Sequence, residues 1–238
     1  MTSRMRPAGR LAGAVLLTVL SALGPAWAQG TPVDLELAFV VDASGSIDEE
    51  ETRLQRQGYA DALANPWVLE VVTGGMLGAV ALAYIEFAAQ GCERLSVPWT
   101  RIDGAESARA FGQAILAQPT SYCPGGNAVG DALAFAARSL ATNAFDGTRR
   151  VIDISGDGPN TLGSAIRPVR DQIVAAGITI NGLVIERPTM PDLDRYFREA
   201  VTGGPGSFVI KADNRRSFGD AILKKLILEV ADLPAAYR

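Results

Sequence analysis

The sequence predicts a doubly wound α/β fold: a mostly parallel six-stranded sheet with one antiparallel edge strand and helices on both faces. Three observations predict it. Apolar runs of strand length alternate with segments of helical period almost to the C-terminus, the pattern of a parallel sheet covered on both sides. One link, Ala88 to Arg94, is too short for a helical crossover and joins its strands as an antiparallel hairpin. Two further runs end in loops dense in Asp, Ser and Gly, at the strand ends where such sheets bind ligands.

The N-terminus is set aside first. Arg4, Arg6 and Arg10 precede the apolar stretch Leu11 to Gly24, and Ala26-Trp27-Ala28 supplies small residues. This is the pattern of a secretory signal peptide over residues 1–28, with an apolar run short of the roughly 20 residues that span a bilayer. The fold proper is expected over residues 33–232. Leu35 to Val41 is its first strand, and Glu49 to about Leu63 its first helix, packing through Leu54, Gly58, Tyr59, Ala62 and Leu63. Asp48 and Glu49 to Glu51 place carboxylates in the first turn of that helix, where they complement its dipole.

Leu77 to Phe87 and Leu95 to Trp99 are the two strands of the hairpin. A helix over Ser107 to Ala117 leads into a Pro- and Gly-rich loop, Gln118 to Asn127, and a second helix follows with Val129, Leu133, Ala136, Ala137 and Leu140 on one face. The strand Arg150 to Ser155 ends at Gly156-Asp157-Gly158-Pro159-Asn160, a strong turn signal. A helix from Ile166 to Ala176, a strand from Ile178 to Glu186, a helix from Asp192 to Val201 and a strand from Ser207 to Lys211 come next. The closing helix carries Phe218, Ile222, Leu226 and Val230 at four-residue spacing. No repeat, low-complexity tract or interdomain linker interrupts this series.

Composition removes whole classes of function. The chain has 22 basic and 26 acidic residues; losing the three N-terminal arginines would leave an acidic domain, a poor match to nucleic acid. There is no histidine, which removes Ser-His and Cys-His nucleophile pairs and ordinary zinc sites. Cys92 and Cys123 are the only cysteines, and export would place them in an oxidising compartment where a disulfide is the expected state.

The densest group of oxygen ligands is Asp42-Ala43-Ser44-Gly45-Ser46, directly after the first strand. A carboxylate alternates there with two hydroxyls, the hard donors that Mg2+ and Ca2+ take. Asp157 ends another predicted strand; if the two strands are neighbours where the strand order reverses, their carboxylates converge.

With Asp42-Ala43-Ser44-Gly45-Ser46, Gly125-Gly126-Asn127-Ala128-Val129-Gly130 and Asp157-Gly158 in this order, the chain resembles the von Willebrand factor A domain superfamily over residues 33 to 232. Tyr84-Ile85-Glu86-Phe87, Val97-Pro98-Trp99-Thr100 and Ser155-Gly156-Asp157-Gly158-Pro159-Asn160 carry a closer similarity to exported bacterial members grouped as a domain of unknown function. The resemblance implies a Rossmann-like fold with a metal-ion-dependent adhesion site (MIDAS). Ser44 and Ser46 would ligate Mg2+, or Mn2+ or Ca2+, directly; Asp42 and Asp157 would hold coordinated waters or bind directly. Asn127 stands where the family has Thr; an amide oxygen is an acceptable hard ligand, on a longer side chain.

A cation held mostly by neutral ligands keeps its charge, and an open position then attracts an Asp or Glu from a protein partner. The expected function is therefore partner capture rather than catalysis, in a periplasmic or secreted protein without a membrane span once the signal is cleaved. Two alternatives compete. In a metal-free structural or interaction domain, Asp42 and the serines would only cap the first helix. In a Mg-dependent hydrolase, Asp42 and Asp157 would hold the ion, though no base or nucleophile accompanies them. Glu86, Asp153, Glu186 and Trp99 are secondary candidates. Glu86 is expected to pair with Arg or solvent, Asp153 to cap a backbone group or reach the metal's surroundings, Glu186 to be solvated, and Trp99 to pack in the core.

Overall fold

The computed structural model describes residues 30–120, 123, 125–212 and 217–230. The signal-peptide expectation for residues 1–28 lies outside them, as do the residues after 230. The strands are β1 (Thr31–Asp42), β2 (Val80–Phe87), β3 (Arg94–Ile102), β4 (Phe145–Gly156), β5 (Thr179–Ile185) and β6 (Val209–Ala212). They form one sheet in the order β3-β2-β1-β4-β5-β6. Every pairing is parallel except β2 with β3, so the hairpin and the edge position of its second strand are as the short link required. Pro98 sits exposed on that edge strand, where its missing N–H removes nothing from the ladder.

Helices cover both faces. On one side lie α1 (Glu49–Ala64), α2 (Pro66–Thr73), α3 (Ala105–Leu116) and α7 (Phe218–Val230), packed on Leu35, Leu37, Phe39, Tyr84, Val151 and Leu183. On the other lie α4 (Val129–Thr142), α5 (Ile166–Ala175) and α6 (Leu193–Tyr196), packed on Ala38, Val40, Ile85, Ile152, Ile154 and Val184. The alternation of these residues along β1 and β4 is the two-residue period of a strand buried on both faces. α1 starts with a capping box: Asp48 accepts from the Glu51 N–H, and Glu51 accepts from the Asp48 N–H. Its packing face includes Gly58, where a Cβ would come within 3.2 Å of Gly219 in α7. Only a bare backbone lets those two helices approach so closely.

Several elements differ from their sequence expectation. β2 begins at Val80 rather than Leu77, because the segment before it turns at Gly78 (φ +62°), and Asp34 accepts hydrogen bonds from the Leu77 and Ala79 N–H groups. α2 was not expected at all. Asn65 caps it by accepting from the Trp67 N–H, and Pro66 opens its first turn. Leu54 is only half-buried, while Gln55 and Arg56 lie inside. The helix expected over 192–201 divides into α6 and a π-helical turn, Phe197–Val201, which lays the Phe197 ring close above Gly156 and Gly182.

Asp153 corrects the sequence reading: it neither caps a backbone group nor reaches toward the Asp42 loop. It shares the face of Val151 and pairs with the Nζ of Lys225, buried in α7. Lys225 also donates to Glu229 (2.7 Å), which accepts from the Asn181 amide (3.1 Å). This group ties the last helix to β4 and β5. With two carboxylates on one cation in a dry site, burial and the neighbouring Asp153 push Glu229 up to about 7.

Candidate functional site

β1 and β4 are neighbours at the point where the strand order reverses. Asp42 therefore ends one strand beside Asp157, which follows directly on the other. The turn after β1 is shaped by Asp42 itself, whose Oδ1 accepts the Ser44 N–H (2.8 Å), while the Ala43 N–H donates to the Phe87 carbonyl (2.8 Å). The Ser44 and Ser46 hydroxyls lie 3.0 Å apart, and Ser46 Oγ donates to Asp157 Oδ1 (3.0 Å) and Oδ2 (3.2 Å). Asp42, Ser44 and Asp157 are buried, and Ser46 is exposed at the mouth. Four of the five sequence candidates thus form one cluster of oxygens with one face open.

Asn127, the fifth, is placed beside the cluster rather than within its hydrogen bonds. Its side-chain nitrogen lies 2.5 Å from where a Cβ on residue 158 would stand, so Gly158 is what admits it. Its backbone is fixed from both sides: the N–H donates to Thr161 Oγ1 (2.8 Å), and the carbonyl accepts the Thr161 N–H (2.9 Å). The same loop is anchored just past the end of β2 by the Ala128 N–H on the Ala88 carbonyl (2.9 Å). Cys92 and Cys123 form a disulfide, with Cα atoms 6.4 Å apart, and this bridge fastens the loop four residues before Asn127. Replacing both cysteines with serine is expected to lower stability by about 2–4 kcal/mol and to weaken cation binding at the neighbouring oxygens. Chemical denaturation and a Mn2+ titration of the Cys92→Ser/Cys123→Ser protein check the two effects separately.

The electrostatics are unbalanced. Asp42 Oδ2 is buried and accepts no hydrogen bond among the described residues. Burial, then the Asp157 charge, push the Asp42 carboxyl up to about 6. Asp157 is also raised by burial, opposed by Arg187, whose guanidinium pairs with Asp157 Oδ2 and donates to the Ser46 carbonyl (2.8 Å). A buried carboxylate oxygen without a donor costs free energy, and a divalent cation is one group that would offset it. Among the described residues no group of three carboxylates or thiols could hold a metal ion, so an ion here would rest on two carboxylates and two hydroxyls. That donor set fits Mg2+, Mn2+ or Ca2+.

Sequence reasoning missed Arg187 and Thr161. Arg187 follows β5, next to β4 in the sheet; strand adjacency brings it near, and the path of the chain after β5 aims it at the site. Glu86 proves to be structural. It accepts from Arg56 (2.6 Å) and Ser96 (2.8 Å) and pairs with Arg94, while Arg56 also donates to the Gln118 carbonyl (2.6 Å). Glu186 pairs with Lys211 (2.8 Å) instead of being merely solvated. Trp99 is half-buried and donates to Ser139 (2.7 Å).

No protein of curated function matches the sequence. Solved structures do, at identities that speak to fold alone. Proximal thread matrix protein 1 from the mussel byssus, described with a zinc-occupied MIDAS motif, matches with a TM-score of 0.59 and 15% identity, over 85% of this chain and 49% of that one. The pilus adhesin SpaC from Lactobacillus rhamnosus GG matches with a TM-score of 0.61 and 16% identity, over 84% and 31%. A von Willebrand factor type A protein from Catenulispora acidiphila matches with a TM-score of 0.51 and 15% identity, over 84% and 42%. This chain thus spans less than half the length of each of these relatives, and its fold is that of a von Willebrand factor A domain. Residues 32–234 match the model of the family described as a protein of unknown function (DUF1194), and the chain belongs to that family.

Proposed function

We propose that this protein is an exported binding module that holds a divalent cation at the Asp42, Ser44, Ser46 and Asp157 cluster and captures a protein partner through an Asp or Glu. The observation that carries this reading is the buried, unpartnered Asp42 Oδ2 beside a second carboxylate and two hydroxyls. Ser44 and Ser46 would hold the ion directly, and Asp42 and Asp157 directly or through water, with Asn127 as the third-loop donor. The ion would supply an electrophilic anchor for a carboxylate oxygen. A matrix protein with a zinc-occupied MIDAS motif and a pilus adhesin share the fold, which supports binding over catalysis. No helix among the described residues is long and apolar enough to cross a membrane; the periplasm or the exterior is the proposed location.

One observation favours the metal-free alternative: Arg187 already places a positive charge on Asp157. Thermal melts in increasing Mg2+, Mn2+ and Ca2+ decide between the two. A cation that binds only the folded state stabilises it by about 2.7 kcal/mol at a hundred times its dissociation constant, and a peptide bearing a single Asp should add a further shift only when the ion is present. Melting curves indifferent to all three ions would refute the metal reading.

A further inference from the structure

Arg187 stands two residues beyond the end of β5, and its placement over the site follows from the sheet. β5 runs parallel to β4 with Val184 opposite Gly156, so the chain leaving β5 passes directly alongside the Asp157 loop. A tight turn holds it there, with the Met190 N–H on the Arg187 carbonyl (2.9 Å). From that position one guanidinium nitrogen serves two acceptors at once, Asp157 Oδ2 and the Ser46 backbone carbonyl. The Asp157 side chain is 1% exposed, whereas that of Arg187 is 27% exposed. The guanidinium therefore reaches in from the rim and has solvent to return to.

The same carboxylate is claimed by two kinds of cation. A divalent ion seated among Ser44, Ser46 and Asp157 would sit beside a guanidinium that shares one of its ligands, and two positive charges a few ångströms apart repel strongly in a partly dry site. Resting on the metal-site reading above, we propose that Arg187 is a tethered competitor for the divalent ion. The ion enters by displacing the guanidinium from Asp157, and the displaced guanidinium, kept at the rim by its turn, forms the second contact to the partner's carboxylate. Metal loading is then an exchange of cations, and it arms the rim for an acidic ligand. A carboxylate has two oxygens; the ion takes one, and the planar N–H fork of an arginine suits the other.

This arrangement assigns Arg187 two effects of opposite sign, which a purely structural contact would not have. Arg187→Gln removes the competitor and should tighten Mn2+ binding about tenfold. The same change removes the second contact, and should weaken binding of an amidated peptide with one Asp as its only carboxylate by about fivefold or more on the Mn2+-loaded protein. Arg187→Lys keeps the charge without the fork, so its Mn2+ affinity should stay within about twofold of wild type while the peptide is still weakened. Calorimetry of the mature chain with Mn2+ alone, then with peptide at saturating Mn2+, reads both, and circular dichroism confirms that each variant is folded.

Mn2+ affinity that is unchanged or lower in Arg187→Gln overturns the exchange, with the metal site itself intact. Peptide affinity that is unchanged or higher overturns the recognition step, and the proposal with it. Mn2+ binding to neither wild type nor Arg187→Gln overturns the metal reading instead. Binding to the glutamine variant alone also overturns the exchange, since the ion would then be unable to displace Arg187 from the wild-type site.

Discussion

Lys225→Met is expected to be the most damaging single substitution outside the Asp42 and Asp157 loops, costing about 3–5 kcal/mol. Lys225 is 1% exposed and lies between Asp153 and Glu229, with the Phe208 ring 5.6 Å from its Nζ. Methionine fills nearly the same volume, so the loss is one of charge, not packing. Without the ammonium, two buried carboxylates face one another with the Asn181 amide as the remaining donor to Glu229. A domain of this size has a net stability of only about 5–15 kcal/mol, so the variant would stand close to unfolding at neutral pH.

The sign of its pH dependence follows from the same cluster. Glu229 is raised to about 7 even with Lys225 present, so the folded state holds protons that the unfolded chain has released. Stability therefore falls as pH rises through that range. Removing Lys225 strengthens the effect, and Lys225→Met should recover much of its loss near pH 5. Urea unfolding at pH 5 and pH 8 checks this. Lys225→Met/Asp153→Asn/Glu229→Gln, with no charge left, should recover stability at both pH values, because a buried ion pair replaced as a whole is often nearly neutral. A single variant as stable as wild type at pH 8 would show that the ion group contributes nothing.

That cluster also marks where sequence stopped being informative. The apolar spacing of α7 is plain from Phe218, Ile222, Leu226 and Val230, yet the residues that join it to the sheet, Lys225 and Glu229, share that buried face at helical spacing and are hidden from a hydrophobic pattern only by their charge. Asp153 was misread for the same reason, since its partner lies 72 positions away and no local rule reports it. α2 was hidden because Val68, Val71 and Val72 have strand character, and the cap at Asn65 and the proline at N1 decide the matter. By contrast, β1, β4 and the hairpin announced themselves through apolar runs and a short link.

Among the site residues, legibility divided in a similar way. Asp42, Ser44, Ser46 and Asp157 were readable because strand ends and turn residues fix where they stand, and parallel neighbours must bring those ends together. Asn127 lies on the loop beside that cluster, but its orientation depends on the space at Gly158 and on Thr161, which is 34 positions away. Arg187 reaches Ser46 across 141 positions, and only the path of the chain after β5 determines that contact.

Asp42→Asn is expected to strengthen the metal-free fold and to abolish its response to cations. In the folded protein the Asp42 carboxyl sits at about 6 instead of 3.8, so its favourable contribution is complete below about pH 4 and is lost as pH rises through 6. The shift corresponds to about 3 kcal/mol of lost stability at pH 8. Asparagine has no charge to bury, and its Oδ1 can go on accepting the Ser44 N–H. Without added ions, the variant should therefore match wild type near pH 4 and exceed it by up to about 3 kcal/mol at pH 8.

Saturating Mn2+ should reverse the order at pH 8. The cation would supply Asp42 with the positive neighbour it lacks and stabilise wild type by linkage, while the amide, with no charge to offer, leaves the variant almost unchanged. Two denaturation curves at pH 8, with and without Mn2+, contain the whole test. Curves that cross identify Asp42 as a residue kept at a cost to the fold because a cation uses it. Curves that keep the same order with and without the ion would assign the strained Asp42 carboxylate to the scaffold, with Arg187 as the permanent counter-charge of its neighbour Asp157.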